Sequence, residues 1–113
     1  MKTFYAWRRT VPVGEPQWVP LAGRRVKHTF AKLWVHREGD RWEVIEERSG
    51  RCVQWGFSLR EAKEEANKVL AGMSREDFER EVAAKVASQP PKPAAESLAH
   101  ANENQSHKEQ GRP

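Results

Sequence analysis

The chain has 113 residues, 37% of them hydrophobic and 32% charged, and its 20 basic and 16 acidic residues give a net charge of +4. This length suits one small domain. The sequence has no run of the roughly 20 apolar residues that a membrane-spanning helix needs. Its one cysteine, Cys52, excludes an intramolecular disulfide and a zinc site built on several cysteines. Because Met1 to Arg9 lacks the apolar stretch of a secretion signal, we expect a cytoplasmic protein without membrane contact.

The positive charge is concentrated in the N-terminal third. Residues 1–37 contain eight basic residues and one acidic residue, whereas residues 38–81 contain eight basic and twelve acidic residues. The basic residues cluster at Arg8-Arg9 and at Arg24-Arg25-Val26-Lys27-His28. A surface for an anionic partner is therefore expected in this third of the chain.

The first predicted element is a strand from Thr3 to Val11, which is rich in aromatic and β-branched residues. Proline and glycine then predict irregular structure up to about Gly23, at Pro12, Gly14, Pro16 and Pro20. Lys27 to His36 predicts a second strand. Because side chains alternate along a strand, one face would carry Phe30, Lys32, Trp34 and His36 and the other Ala31, Leu33 and Val35.

Two more strands complete a predicted meander. Glu38-Gly39-Asp40 and Ser49-Gly50 predict the turns that join them. Arg41 to Glu47 alternates, with Trp42 and Val44 on one side. Arg51 to Phe57 places three side chains in phase, and we expect them in the core unless a one-residue bulge inverts the strand: Val53, Trp55 and Phe57.

The hydrophobic period then changes to that of helices. Ser58 with Glu61 forms a capping box before an apolar stripe of Leu59, Ala62, Ala66, Val69 and Leu70. Gly72 is expected to end this helix. Ser74, followed by Asp77, is expected to cap a second helix whose inner face carries Phe78, Val82 and Val86.

These elements predict an α+β fold, a three- to four-stranded antiparallel meander followed by two helices with a β-β-β-α core. Residues 1–87 would form a single small domain, divided into an N-terminal strand and Pro-rich arm (1–26), the meander (27–57) and two helices (58–87). Residues 88–113 are Pro-rich and then polar, with Leu98 as the only large apolar residue. We expect this segment to be a disordered tail.

Residue types that carry catalysis are sparse. The four histidines have no metal-ligand spacing, the glycines form no phosphate-binding loop, and acidic pairs such as Glu46-Glu47 point apart. Cys52 could act as a nucleophile only with a partner such as His36, and a half-buried structural thiol is the simpler interpretation. We therefore expect no enzyme activity, no metal and no cofactor.

A basic and aromatic constellation is the main functional feature. Aromatic rings interleaved with cations suit nucleic acids, because rings stack on bases and cations contact phosphates. The candidate nucleic-acid-binding residues are Arg8, Arg9, Arg24, Arg25, Lys27, Phe30, Lys32, Trp34 and His36. Tryptophans at period two also pack in cores, which is the interpretation we favour for Trp42 and Trp55 and which stays open for Trp34.

The stretch from Trp42 to Leu70 resembles parts of known families. Two strands are followed by a helix opened by Gly56-x-Ser58-x-x-Glu61-Ala62. This pattern is similar to the β₃α arm-type DNA-binding domain of tyrosine recombinases, which lays its sheet in the DNA major groove. It also resembles the double-stranded RNA-binding domain, through Ser58, Arg60, Ala62 and Lys63, and the HicB-type antitoxin, whose partner is a toxin protein.

Two functions follow as predictions. The first is a small non-catalytic nucleic-acid-binding or regulatory module, with DNA favoured over RNA. The alternative is a protein-interaction module, such as an antitoxin-like, inhibitor or accessory protein of a mobile element. It would bind its partner through the exposed aromatic residues or a helix face that carries Glu61, Glu64 and Glu65. A homodimer through an open strand edge is left open.

Overall fold

A computed structural model of the chain describes residues 1–9 and 14–94. Within these residues, five strands and two helices follow one another: β1 (Lys2–Arg8), β2 (Gln17–Val26), β3 (Leu33–Glu38), β4 (Arg41–Glu46), β5 (Cys52–Gly56), α1 (Leu59–Ala71) and α2 (Arg75–Ala87). The strands pair antiparallel in the order β1-β2-β3-β4-β5. The predicted α+β class is confirmed, but the sheet has more strands than the three or four expected.

The additional strand is β2, which covers residues that the sequence predicted to be irregular. Pro20 lies inside it, opposite Tyr5 of β1. β2 pairs with β3 only through Arg24 to Val26, so Pro20 has a paired strand on one side. A strand with one free side accepts a residue that lacks an N–H group. The first strand ends at Arg8, and the last two residues of the prediction, 10 and 11, lie outside the described residues.

The helices cover one face of the sheet. The core on this side contains Ala31, Leu33, Val35, Val44, Ala62, Ala66, Leu70, Phe78 and Val82.

Both predicted helix caps are present: the Ser58 side chain accepts from the backbone N–H of Glu61, and the Ser74 side chain accepts from that of Asp77. Two residues of the predicted apolar stripes point outward instead. Val69 is 40% exposed and Val86 is 43% exposed, because each helix turns only part of its circumference to the sheet.

The β1–β2 hairpin covers the opposite face of the sheet. A second core lies here, formed by Phe4, Ala6, Trp34 and Ile45 with Leu21 against it. β2 changes partner from β1 to β3 at Gly23. A Cβ atom on Gly23 would lie 2.5 Å from the carbonyl oxygen of Val35, so the close approach of the two strands requires glycine.

The turn between β4 and β5 fixes the end of the β1–β2 hairpin that lies away from Gly23. The backbone N–H of Trp7 donates to the carbonyl oxygen of Gly50 at 2.8 Å. Gly50 has a φ of +67°, in the left-handed region that favours glycine. A Cβ atom there would also meet the Trp18 ring. The predicted turn therefore also closes the hairpin onto the sheet.

A β-bulge inverts the phase of β5. Its register with β4 shifts between Val44 and Ile45, which makes Val53 the extra residue. Val53 still packs against the helix-side core, but Trp55 is 39% exposed and Phe57 is 65% exposed. The prediction that all three lie in the core is wrong for the last two, because one extra residue moves later side chains to the other face.

The chain after α2 contacts the domain again. Gln89 is buried, and its Nε2 donates to the carbonyl oxygen of Ser49 at 2.9 Å. The indole N–H of Trp18 donates to the carbonyl of Pro90, and Nζ of Lys92 donates to that of Glu47. Gln89, Pro90 and Lys92 lie inside the segment that the sequence predicts to be disordered. The remainder of that prediction, residues 95–113, lies outside the described residues.

Candidate nucleic-acid interface

Trp34 does not offer a free ring to a nucleobase. Its ring stacks on Phe4, with the centroids 4.9 Å apart and the planes 7° from parallel. The guanidinium of Arg25 lies 4.5 Å from the ring centroid, and the indole N–H donates to Glu47 at 3.3 Å. Trp34 is 6% exposed. The predicted stacking role is therefore wrong, because the β1–β2 hairpin covers this face of the sheet.

Phe30 lies on the helix side, away from Trp34. Its ring contacts Phe78 of α2, with centroids 5.2 Å apart. The strand predicted to begin at Lys27 begins at Leu33 instead. Nδ1 of His28 accepts from the backbone N–H groups of Phe30 and Ala31, and this local turn breaks the alternation. The predicted shared face of Phe30 and Trp34 is therefore wrong.

A buried ion cluster occupies the far end of β1. Nη1 of Arg8 lies 3.0 Å from Oε1 of Glu43, and Nε2 of buried His36 lies 2.8 Å from the same oxygen. The hydrogen bond with His36 lowers the pKa of Glu43 most, and the charge of Arg8 adds to it. Together they outweigh burial and bring the pKa to about 2. Arg8, a predicted phosphate contact, and His36, another predicted nucleic-acid-binding residue, thus hold the hairpin in place.

The same cluster is the one group of potential metal ligands found among the described residues. The ligand atoms of His36, Glu38 and Glu43 lie within 4.8 Å of one another. Nη1 of Arg8 lies 3.0 to 3.5 Å from an atom of each of them. The Arg8 guanidinium already supplies the positive charge that these carboxylates need. The arrangement fits a satisfied ion cluster, and a metal would have to displace Arg8.

Four of the predicted basic residues are exposed on or beside the β2–β3 hairpin, and a fifth exposed cation lies on the neighbouring strand β1. Arg24 and Arg25 lie on β2, while Lys27 and Lys32 follow directly on the last paired residues of the β2–β3 hairpin. Lys2 of β1 lies opposite Gly23, the neighbour of Arg24. All five are exposed. We call this group the basic strip: Lys2, Arg24, Arg25, Lys27 and Lys32.

The basic strip carries more positive charge than its neighbours neutralise. Among the described residues, Arg25 is the member of the strip that forms an ion pair, with Glu47. Lys2, Arg24 and Arg25 also line a shallow concavity of about 290 Å³ beside Trp34. Cations around a concave surface are suited to bind phosphate oxygens. Arg9 is the last of the nine predicted residues to be placed. It is exposed, but it follows Arg8 at the end of β1 opposite Lys2.

The thiol of Cys52 is not activated. Its Sγ donates to the carbonyl oxygen of Gln54 at 3.3 Å. Desolvation and the nearby charge of Glu43 raise its pKa to about 11. A nucleophilic cysteine needs a lowered pKa, and His36, the partner considered from the sequence, is engaged with Glu43.

Sequence reasoning missed two features of this surface: Lys2, and the exposed rings at the end of β5, Trp55 and Phe57. A strand over residues 17–26 would have placed Lys2 beside Arg24.

Comparisons with known proteins give no relative. A scan against protein-family models, a search of curated proteins and a search of solved structures each found no match. The resemblances of residues 42–70 to DNA-binding, RNA-binding and antitoxin families therefore stay predictions. Neither helix among the described residues is long and apolar enough to cross a membrane.

Proposed function

We propose that this chain is a small, non-catalytic nucleic-acid-binding module that holds phosphate groups on the basic strip. The observation that supports this proposal is the grouping of five exposed cations with one carboxylate paired to them, that of Glu47. Phosphate contacts supply most of the affinity in sequence-independent binding. This role needs no ring from Trp34 or Phe30, and therefore differs from the one predicted from the sequence.

The charge of the helices supports the same assignment. The segment from Leu59 to Ala87 contains seven acidic and six basic residues, so it offers no comparable positive surface. Lysine and arginine side chains of the strip are long and can follow a backbone of evenly spaced charges. DNA remains favoured over RNA as the ligand.

The alternative, a protein partner on the acidic face of α1, has less support. Of its three carboxylates, Glu64 forms an ion pair with Arg60 and Glu65 forms one with Lys68. These pairs neutralise most of the charge that was expected to attract a partner. Glu61 is the member without such a pair among the described residues.

The experiment is a salt-dependent titration of the protein with labelled oligonucleotides, followed by anisotropy. We expect binding that is saturable at about 50 mM salt and much weaker at about 200 mM. Replacing Arg24→Ala together with Lys27→Ala removes two phosphate contacts. This should weaken binding and lower the slope of log K against log salt by about 1.5.

A matched control variant has the same net charge as the Arg24→Ala, Lys27→Ala variant. Arg75→Ala with Lys85→Ala removes two exposed cations from α2, away from the strip. This variant should bind as the unmodified protein does. Equal losses in both double variants would mean that net charge alone governs binding, and the absence of binding at low salt would refute the proposed function.

A further inference from the structure

Two aromatic rings are left exposed at the end of β5. Among the described residues, Trp55 and Phe57 are the two aromatic side chains that are exposed, at 39% and 65%. Their rings contact each other edge to face, with centroids 5.2 Å apart and planes 88° apart. Exposed apolar groups that lie together mark binding surfaces more often than single exposed residues do.

Positive charge lies next to these rings. The guanidinium of Arg41 lies 5.1 Å from the centroid of the Trp55 ring. Arg41 and Arg8 both form ion pairs with Glu43, the residue that is paired with Trp55 across the sheet, and exposed Arg9 follows Arg8 in the chain. This end of the sheet therefore holds a guanidinium against an aromatic ring, a combination that fits a stacked base.

Two features argue against a protein as the occupant of this patch: its small area and the backbone hydrogen bonding of the edge strand β5. An aromatic side chain has about 150–250 Å² of surface, so the exposed parts of both rings amount to roughly 200 Å². A stable protein interface needs about 800 Å² from each partner. Strand addition is also disfavoured, because the backbone N–H of Trp55 already donates to the Gln54 side chain at 3.1 Å. A flat ring the size of a nucleobase matches the available surface.

We propose that Trp55 and Phe57, together with Arg41, form a stacking site for unpaired nucleobases, so that the nucleic acid bound is single-stranded. This inference rests on the proposed function, since the basic strip would supply the phosphate contacts. Lys2 and Arg8 are the two ends of β1, which are about 20 Å apart in an extended strand. One strand of several nucleotides could therefore reach both regions, within the range of about 4–16 nucleotides known for small single-strand-binding folds.

The test compares three ligands of about 12 nucleotides: an oligothymidylate, an abasic sugar-phosphate chain of the same length, and a duplex. We expect the oligothymidylate to bind more tightly than the other two and to quench tryptophan fluorescence. Trp55→Ala or Phe57→Ala should weaken its binding by about 5- to 150-fold, the range for the loss of one stacked base. Binding of the abasic chain should stay unchanged.

Trp55→Phe is the matched control for the ring. It keeps a stacking surface and removes one fluorophore, so affinity should be largely retained while the quenching is reduced. Val86→Ala, a change at an exposed apolar residue of α2, should leave both signals unchanged. Circular dichroism would establish that each variant is folded.

The outcomes separate the two proposals. Equal binding of all three ligands, unaffected by Trp55→Ala, would overturn the stacking site and leave the basic strip as the binding surface. Binding of none of them would refute the proposed function itself. A dimer that forms at high protein concentration and is lost in Trp55→Ala would show that a second copy covers the rings, and would also overturn the stacking site.

Discussion

Glu43 illustrates how one residue can hold two parts of the fold together. Its carboxylate, 6% exposed, accepts from Arg8 of β1 and contacts His36 of β3, and Arg41 adds a second guanidinium at 3.0 Å. A buried carboxylate is stable only when its charge is compensated. The hydrogen bond with His36 and the charges of Arg8 and Arg41 lower the pKa of Glu43 from an ordinary 4.5 to about 2, as expected for a charge with three close partners. The cluster therefore fixes the hairpin to the sheet.

The stability of the fold should accordingly depend on pH through Glu43. Because its pKa is lower in the folded chain, its contribution is fully present above about pH 4.5 and is lost as the pH falls toward about 2. This shift corresponds to about 3 kcal/mol. Glu43→Gln should lower the free energy of unfolding by a similar amount at pH 7 and remove most of the loss between pH 5 and pH 2.

Urea unfolding at several pH values, followed by tryptophan fluorescence, checks this prediction. Glu38→Gln is the control, since Glu38 is 48% exposed and lies 3.5 Å from Arg8. It should change stability by less than about 1 kcal/mol. An unchanged pH dependence in the Glu43→Gln variant would contradict the role assigned to this carboxylate.

At the level of elements, sequence signals succeeded where they act locally. Ser58 and Ser74 began their helices as predicted, and Gly39 and Gly50 formed the predicted turns, because caps and turns depend on a few neighbouring residues. The hairpin strand around Pro20 and the bulge at Val53 depend on which strand lies alongside. Periodicity within one segment carries no such information, so the burial of Trp34 was left undecided and the exposure of Trp55 was missed.

The segment after α2 shows the same dependence on distant contacts. Gln89 donates to the carbonyl oxygen of Ser49 and accepts from Arg51, and both residues belong to the β4–β5 connection. Gln89→Ala would leave the buried Ser49 carbonyl and the partly buried Arg51 side chain without this partner, and should cost about 1–3 kcal/mol of unfolding free energy.

Chemical denaturation of the full chain measures this cost. Ser88→Ala is the neighbouring control, because the Ser88 side chain is exposed and bonds only within the last turn of α2. It should change stability by about 0.5 kcal/mol or less. If both variants unfold at the same urea concentration, the contacts of Gln89 do not hold the end of α2.

Across the whole molecule, basic residues divide into structural and available ones. Arg8 is used inside the fold, while the members of the basic strip lie exposed at the opposite end of β1, on β2 and in the β2–β3 connection. The net charge of residues 1–37 predicted a basic surface, and five of the cations in this segment are exposed on β1, on β2 and in the β2–β3 connection. The net charge could not separate the cation that Glu38 and Glu43 neutralise from those for which the described residues show at most one carboxylate partner, because that division depends on strand order.

The most direct measurement of the central claim is an NMR titration of the isotope-labelled protein with an oligonucleotide at low salt. The account predicts that backbone amide shifts concentrate at Lys2, at Arg24 to Lys27, at Lys32 and, for a single-stranded ligand, around Trp55 and Phe57, and that α2 remains unperturbed. Shifts confined to the helices, or no shifts with a saturating oligonucleotide, would contradict the assignment of the basic strip as the nucleic-acid-binding surface.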